Sequence, residues 1–313
     1  MNASTCIRCG GPRAEGPECP RCGVVYARAE SRAASQREAE PSSAASAPPA
    51  PEASAAALFA RRQALGEART ELWLARLAVP GTLLASWLLV HTQWGRFLAR
   101  TLFGMWLHEL GHAVGAWLCG FPAFPGPWFT PVADERSPLF ALALMGGLGW
   151  AVWRGWTGDQ RGLAAAGIGV LSLQLVCTLG LSGRAAHTLI TFSGHAGCLV
   201  FGAALMAMFF VPPEHKLHRD WLRWGFLVIG AAGFADTFDL WWRARTDYSV
   251  IGFGEVEGRG ATDASVLVRE GWSVPTMTGR YAGIGVLCLL ALAALQFRHL
   301  RRTRAALETL EAE

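Results

Sequence analysis

The clearest chemistry in the chain lies at residues 108–112, which read His-Glu-Leu-Gly-His. Residues four positions apart share one face of a helix, so the imidazoles of His108 and His112 can bind one Zn²⁺ ion. Glu109 would then be close enough to take a proton from a water molecule at the metal. The spacing therefore predicts a catalytic zinc site with two histidine ligands and Glu109 as general base.

This motif lies in a strongly apolar part of the chain. Residues 97–107 and 113–119 are almost entirely apolar, and a charged side chain in lipid costs at least about 2.5–3.5 kcal/mol. A chance match or a polar contact between helices would be the alternative. Neither requires two histidines at this spacing with a carboxylate between them, so we expect a functional site.

The composition indicates a membrane protein. Of 313 residues, 52% are hydrophobic and 17% charged, whereas soluble proteins have about 25% charged residues. The net charge of +4 is too small to indicate a nucleic-acid partner. Residues 1–57 are polar and residues 77–297 hold nearly all long apolar runs, which predicts an all-α, multi-pass integral membrane protein behind a small N-terminal domain.

A bilayer-spanning helix needs about 20 apolar residues. Seven segments approach this requirement, but one of them is short and rich in glycine, so we expect six or seven spans. Arginines before the first and after the last span favour a cytosolic N-terminus. The segments are 77–94, 97–119, 138–153, 162–182, 186–211, 221–242 and 279–297.

Four cysteines near the N-terminus form two Cys-x-x-Cys pairs. Cys6, Cys9, Cys19 and Cys22 predict a zinc ribbon over residues 1–28, with four thiolates around a structural Zn²⁺ ion. Two disulfides or a redox pair are the alternatives. A thiolate site indicates a reducing compartment. Because a closed site has no open position for substrate, we expect the ribbon to bind a cytosolic partner.

The remaining segments have distinct compositions. Residues 29–57 are rich in Pro, Ala and Ser and predict a disordered linker. Arginines interleaved with apolar residues over 58–76 predict a basic amphipathic helix on the membrane surface, or the solvated start of the first span. Residues 77–297 would form the transmembrane, metalloprotease-like domain, and residues 298–313 a charged C-terminal tail.

A catalytic zinc site needs a third protein ligand. Asp236 and Asp239 lie three residues apart on one face of the apolar segment 224–242. We favour Asp236 because it is deeper, with Asp239 either orienting a ligand histidine or acting as the ligand itself. Both could instead cap the helix or pair with Arg243 or Arg245. His195, between glycines 194 and 197, is either a packing residue or a substrate contact.

Several segments resemble intramembrane zinc metalloproteases of the site-2 protease group, and are most similar to its peptidase M50B-like branch. Residues 108–120, HELGHAVGAWLCG, look like the active-site helix of that group. Residues 194–197, 236–239 and 261–267 are similar to its glycine-containing helix, its aspartate-bearing helix and its Ser-Asp-Ala loop. The resemblance covers about residues 97–297 in the expected order.

The resemblance implies zinc ligands at His108 and His112, a general base at Glu109 and an aspartate ligand from a later helix. Better-known members carry that aspartate in an Asp-Gly pair, which Asp236 and Asp239 lack, so the third ligand stays open. Asp263 is the weaker candidate because residues 255–269 read as a polar loop.

The expected function is a membrane-embedded zinc endopeptidase that cleaves transmembrane or membrane-tethered proteins within or next to the bilayer. A non-proteolytic receptor or scaffold that uses the ribbon to bind a partner is the alternative, followed by a transporter with a metal site. Glu109 favours the enzyme because a structural metal site does not need it. The missing Asp-Gly pair favours the scaffold.

Overall fold

The computed structural model describes residues 5–6, 8–31, 51–212, 215–216, 221–256 and 260–312. The chain divides into two compact units, Met1–Ala60 and Arg61–Glu313. Most of the predicted linker, residues 32–50, lies outside the described residues.

The smaller unit contains two knuckles of the same geometry. Gly10 and Gly23 have φ angles of 69° and 67°, in the left-handed region that glycine adopts most readily. Their N–H groups donate to the carbonyl oxygens of Cys6 and Cys19 at 2.9 and 2.8 Å. Each turn thereby folds one Cys-x-x-Cys segment back on itself, and Tyr26 packs against the buried cysteines.

The larger unit is mostly helical, as the sequence predicts. Short π-helical segments extend α2 and α5, and two-residue strands β1 (Glu255–Val256) and β2 (Gly260–Ala261) pair antiparallel. The π segments are Ala99–Gly104 and Val176–Gly180, and single 3₁₀ turns cover Met208–Phe210 and Tyr248–Val250. The helices after the ribbon are α1 (Pro51–Val90), α2 (Gln93–Leu98), α3 (Met105–Leu118), α4 (Pro138–Thr157), α5 (Arg161–Leu175), α6 (Gly183–Ala207), α7 (Leu222–Arg243), α8 (Asp263–Arg269) and α9 (Val274–Ala312).

Four helical segments within the described residues are long and apolar enough to cross a membrane. Only 11% to 39% of their most apolar windows is buried in the protein, so most of this apolar surface would need lipid around it. These features fit a membrane protein. The segments are Ala57–Val90, Arg161–Gly180, Gly183–Phe210 and Val274–Ala312.

The count of six or seven predicted spans is therefore wrong for the described residues. Helix α2, the π segment and α3 form one continuous helix from Gln93 to Leu118, and its two arginines, Glu109 and two histidines lower its mean hydropathy. Two aspartates lower the mean hydropathy of α7, and Arg154, glycines and tryptophans lower that of α4. Segments that looked apolar enough in the sequence are thus too polar over the length of a spanning helix.

Two predicted segment boundaries fall inside continuous helices. The basic segment 58–76 and residues 77–90 of the first predicted span are both part of α1, which favours the solvated start of a spanning helix over a separate surface helix. This helix begins at Pro51, so the predicted linker end at residue 57 is too late. Helix α9 likewise continues through residues 298–312, so the predicted tail is helical there.

The first and last long helices pack side by side. The Gln296 side-chain amide donates to the carbonyl oxygens of Ala75 and Arg76 at 3.0 and 2.9 Å. Arg61 donates to the carbonyl oxygen of Leu310 at 3.2 Å. Residue numbers fall along α1 from Ala75 to Arg61 as they rise along α9 from Gln296 to Leu310, so the two helices are antiparallel.

Helices α3 and α6 approach each other very closely. A Cβ atom added at Gly197 would lie 2.5 Å from the Cα atom of Gly111, and one added at Gly194 would lie 2.5 Å from Nε2 of His112. A side chain at Gly111 would meet the carbonyl oxygen of Ser193. Because only glycine fits at these positions, α6 can pack directly against the helix that carries the two histidines.

We expect Gly197→Ala to lower stability by about 1–3 kcal/mol or more, because the added methyl group meets backbone that cannot move aside. The measurement is thermal unfolding in detergent micelles, followed by tryptophan fluorescence. Gly146→Ala is the matched control, since a Cβ atom there meets no atom within 4 Å. Equal midpoints for the two variants would show that the close approach is not required.

Candidate metal sites

The four ribbon cysteines converge in one cluster. Their sulfur atoms lie within 4.8 Å of one another, with Cys6–Cys22 and Cys9–Cys19 separations of 3.8 Å. A disulfide requires about 2.05 Å, whereas zinc bonds of about 2.3 Å in a tetrahedron place sulfur atoms about 3.8 Å apart. The cysteines are free, so this group could hold a metal ion, and the structure does not contain the alternative disulfides.

Backbone hydrogen bonds favour the thiolate form of two of these cysteines. The N–H of Arg21 bonds to the sulfur of Cys19 and lowers its pKa to about 6. The N–H of Arg8 acts in the same way on Cys6 and lowers its pKa as well. Since the thiolate is the metal ligand, the knuckle backbone prepares the cluster for a cation.

The two motif histidines lie together on α3. Their Nε2 atoms are 3.1 Å apart. Nδ1 of His112 lies 2.8 Å from the carbonyl oxygen of Ile190 on α6, and a carbonyl can only accept, so Nδ1 carries the hydrogen. In the neutral ring this leaves the lone pair of Nε2 available to a metal.

Asp263 completes this group. Its Oδ2 atom lies 3.2 Å from Nε2 of both His108 and His112, and the three ligand atoms lie within 4.8 Å of one another. Burial acts to raise the pKa of the Asp263 carboxyl, but protonated imidazoles at these two positions donate to the carboxylate and hold that pKa well below its usual range. A proton or a metal ion can therefore balance the charge of this aspartate.

The donor set fits a divalent metal. Oδ2 of Asp263 is buried and, among the described residues, has no hydrogen-bond partner. It faces two imidazole nitrogens at distances close to the about 3.3 Å between ligands of a tetrahedral ion with bonds of about 2.0–2.1 Å. Three protein ligands leave a fourth position open, which is the arrangement of catalytic rather than structural sites.

The structure does not bring Asp236 to the histidines. Its Oδ2 and Oδ1 atoms instead lie 3.0 and 3.4 Å from Nε and Nη2 of Arg100. Depth in an apolar helix suggested Asp236 as third ligand, but a buried carboxylate there needs a counter-ion, and Arg100 supplies it. The geometry corrects the prediction from Asp236 to Asp263.

Asp239 also faces arginines and not the metal group. Its Oδ2 atom lies 3.2 Å from Nη2 of Arg96 and 3.1 Å from Nε of Arg243. The nearby histidine is His91, whose Nε2 atom is 3.6 Å from Oδ1. Asp239 is therefore neither the alternative ligand nor the group that orients a ligand histidine.

Glu109 is buried beside the metal group, at 6% exposure. The hydroxyl of Thr130 lies 2.8 Å from Oε2 of Glu109 and 2.9 Å from its backbone oxygen. Thr130 comes from the loop between α3 and α4, where Ala123 and Val132 form a β-bridge. Glu109 and both histidines line one cavity of about 650 Å³.

His195 lies at the edge of this group. Its Nδ1 atom is 4.0 Å from Oδ2 of Asp263, and its ring packs edge-on against Trp241 and Tyr281 at 5.3 and 5.6 Å. Within the described part of the chain, Nδ1 is buried without a hydrogen-bond partner. This placement suits both predicted roles, packing and substrate contact.

Three residues near the site were missed in the sequence, and one was ranked too low. Arg96 and Arg100 could have been noticed as charges next to an apolar run. Thr130 carries no sequence signal, because threonine in a loop is ordinary. Asp263 could have been found from the Ser-Asp-Ala-like segment Thr262-Asp263-Ala264.

Comparison of the chain with models of protein families, with curated proteins and with solved structures finds no match. Functional assignment therefore depends on the site itself. The site has three convergent ligand atoms, from His108, His112 and Asp263, and the buried carboxylate of Glu109 lies beside them. All four residues line the same cavity.

We expect the purified protein to hold two divalent metal ions per chain and the Asp263→Ala variant to hold one. Asp236→Ala is the comparison, because its carboxylate pairs with Arg100 and should not affect metal content. Elemental analysis by mass spectrometry measures both. The assignment of Asp263 fails if its variant keeps two ions while the Asp236 variant loses one.

Cys22→Ser should likewise remove one metal ion per chain, because three thiolates and a hydroxyl bind zinc far less tightly than four thiolates. The ion lost should be additional to the one lost in Asp263→Ala, so the double variant should hold none. Cys288→Ser, at a cysteine far along the chain in α9, is the control and should keep both ions.

Proposed function

We propose that the protein is a membrane-embedded zinc endopeptidase of the site-2 protease kind, cleaving peptide bonds of membrane proteins within or next to the bilayer. The observation that carries this proposal is the convergence of His108, His112 and Asp263 beside the buried carboxylate of Glu109. A purely structural metal site has no need of that carboxylate. Four helices that could cross a membrane support the location.

Zinc is the metal we propose for this group. Two imidazoles and a carboxylate with one open position are a donor set of catalytic zinc sites. A zinc ion bound there would supply a Lewis acid for the scissile carbonyl and make a water molecule more acidic.

Glu109 is the proton carrier in the proposed reaction. Its carboxylate takes a proton from the attacking water as the oxygen adds to the peptide carbonyl carbon, and it delivers that proton to the nitrogen as the C–N bond breaks. When the Thr130 hydroxyl donates to Oε2, Oε1 remains to accept the proton. Thr130 thus acts as a positioning residue that fixes the orientation of the base.

The substrate segment must reach the cavity in an extended form. A transmembrane helix uses its carbonyl groups in its own hydrogen bonds, so it has to unwind locally before hydrolysis. The cavity of about 650 Å³ can take several extended residues, and Trp128 and Phe129 on its wall offer apolar contacts. His195 is close enough to the metal group to bond a substrate carbonyl as well.

We propose further that the four ribbon cysteines hold a structural Zn²⁺ ion, that the N-terminus is cytosolic and that the ribbon binds a cytosolic partner. A cluster of four thiolates has no open position for substrate. The ribbon is also the feature that favours a non-proteolytic receptor or scaffold. The two functions differ in whether Glu109 is needed.

We expect Glu109→Gln to reduce the rate of peptide hydrolysis at least about 100-fold, because the amide cannot accept the proton from water. The purified protein in detergent is incubated with unstructured β-casein and with a reporter that carries one membrane-spanning helix. Fragments are identified by mass spectrometry. Glu135→Gln, at an exposed position of the neighbouring loop, should cleave as the wild type does.

Both variants should keep two metal ions per chain, so that lost activity reflects lost proton transfer. If the metal-loaded wild type cleaves neither substrate, or if the Glu109 variant cleaves both normally, the endopeptidase proposal is wrong. A cellular phenotype that survives Glu109→Gln but is lost in Cys22→Ser would then favour the scaffold.

A further inference from the structure

The cavity contains a second charged region in addition to the metal group. Arg96 and Arg100 line the same cavity as His108 and Glu109. Their side chains are 31% and 48% exposed, although the aspartates that hold them are only about 6–7% exposed. The cavity therefore has a cationic end and a metal-binding end.

A π-helical segment aligns these two ends on one helix face. An α-helix advances 3.6 residues per turn, so a residue twelve positions before His108 would be rotated by about 120° from it. The wider turn over Ala99–Gly104 reduces this drift, and such insertions are frequent at functional sites. As a result, Arg96, Arg100, Gly104, His108 and His112 all line the cavity.

The arginines are fixed in place by groups outside the metal site. Arg100 donates through Nε and Nη2 to Asp236. Arg96 donates through Nη2 to Asp239 and through Nε to the backbone oxygen of Val90. Among the described residues, Nη1 of Arg96 and Nη1 of Arg100 have no acceptor, so each guanidinium keeps free N–H donors.

The charge balance at this end is positive. Within the part of the chain that the structure describes, Arg96, Arg100 and Arg243 form ion pairs with two carboxylates, those of Asp236 and Asp239. His91, whose Nε2 atom lies 3.6 Å from Asp239, is the other ionisable side chain that the described residues place in this cluster. Three arginines thus pair with two carboxylates, which leaves one positive charge in the cluster, and two of the three arginines line the cavity.

A guanidinium with free donors binds a carboxylate through two parallel hydrogen bonds, and prior ordering reduces the entropy lost on binding. Asp236 and Asp239 supply that ordering. Eight residues separate Arg100 from His108, which is about 12 Å along a helix. An extended peptide covers about 3.3 Å per residue, so three or four residues span this distance.

We propose that Arg100, assisted by Arg96, binds a carboxylate of the peptide substrate three or four residues from the bond that is cleaved. The carboxylate belongs either to an acidic side chain or to the C-terminus of the substrate. This inference rests on the proposed endopeptidase function, since it assigns a substrate class to the same cavity.

Peptide binding tests the inference independently of cleavage. The probes are fluorescein-labelled ten-residue peptides of Ala and Leu, with one Glu placed at each position in turn. Each has a partner with Gln at that position, and each is made with a free and an amidated C-terminus. Anisotropy measures their Kd for the metal-loaded, full-length Glu109→Gln protein in detergent, in which they are not cleaved.

We expect a Glu peptide at one position, or a free-acid peptide, to bind at least tenfold more tightly than its neutral partner. A preference that follows the Glu position identifies a side-chain carboxylate, and one that follows the free acid identifies a C-terminus. In the Arg100→Gln background the preference should fall to within twofold. Arg161→Gln, at a fully exposed arginine of α5, should leave it unchanged.

Arg100→Gln leaves Asp236 buried without its counter-ion and could unfold the protein. The double change Arg100→Gln with Asp236→Asn removes both charges and should fold, and it should also lose the preference. Equal binding of acidic and neutral peptides to the parent protein, or an undiminished preference in the folded double variant, overturns the inference. The proposed endopeptidase function is judged separately, by cleavage of β-casein and the membrane reporter.

Discussion

Three potential ligand atoms that face one another at 3.1–3.2 Å are the constraint on which the larger unit depends. Two imidazole nitrogens and a carboxylate oxygen repel one another at this distance unless a cation lies between them. In the neutral ring of His112, the hydrogen bond from Nδ1 to the Ile190 carbonyl oxygen leaves the Nε2 lone pair facing the other two atoms. Helix packing and the loop that carries Asp263 bring these three atoms together, and Glu109 is buried beside them. This arrangement could hold a metal ion.

Close helix packing is the means by which this arrangement is reached. Glycines on α3 and α6 let the two backbones touch, so that the Ile190 carbonyl reaches His112 and His195 reaches the edge of the site. The loop after α3 then returns to bring Thr130 to Glu109. Elements that are distant in the chain thus orient one short motif, and no single helix could do so alone.

Residue spacing in the sequence was enough to predict two groups of candidate metal ligands. The His108–His112 pair and the four ribbon cysteines could be recognised because helix and knuckle geometry bring such residues together over short distances. The third ligand could not be ranked correctly, because apolar surroundings suggested depth for Asp236 but gave no information about Arg100, 136 residues away in the chain. The number of spans was overestimated because charged side chains inside otherwise apolar helices lower their mean hydropathy, as Asp236 and Asp239 do in α7.

The antiparallel contact between α1 and α9 has a consequence for biosynthesis. The Gln296 side chain joins residues 221 positions apart, so the first long helix leaves the ribosome well before its neighbour exists. Until then its pairing surface must be covered by lipid or by a chaperone. The larger unit can close only after α9 has been synthesised, and a chain truncated before α9 would leave α1 without the helix against which it packs.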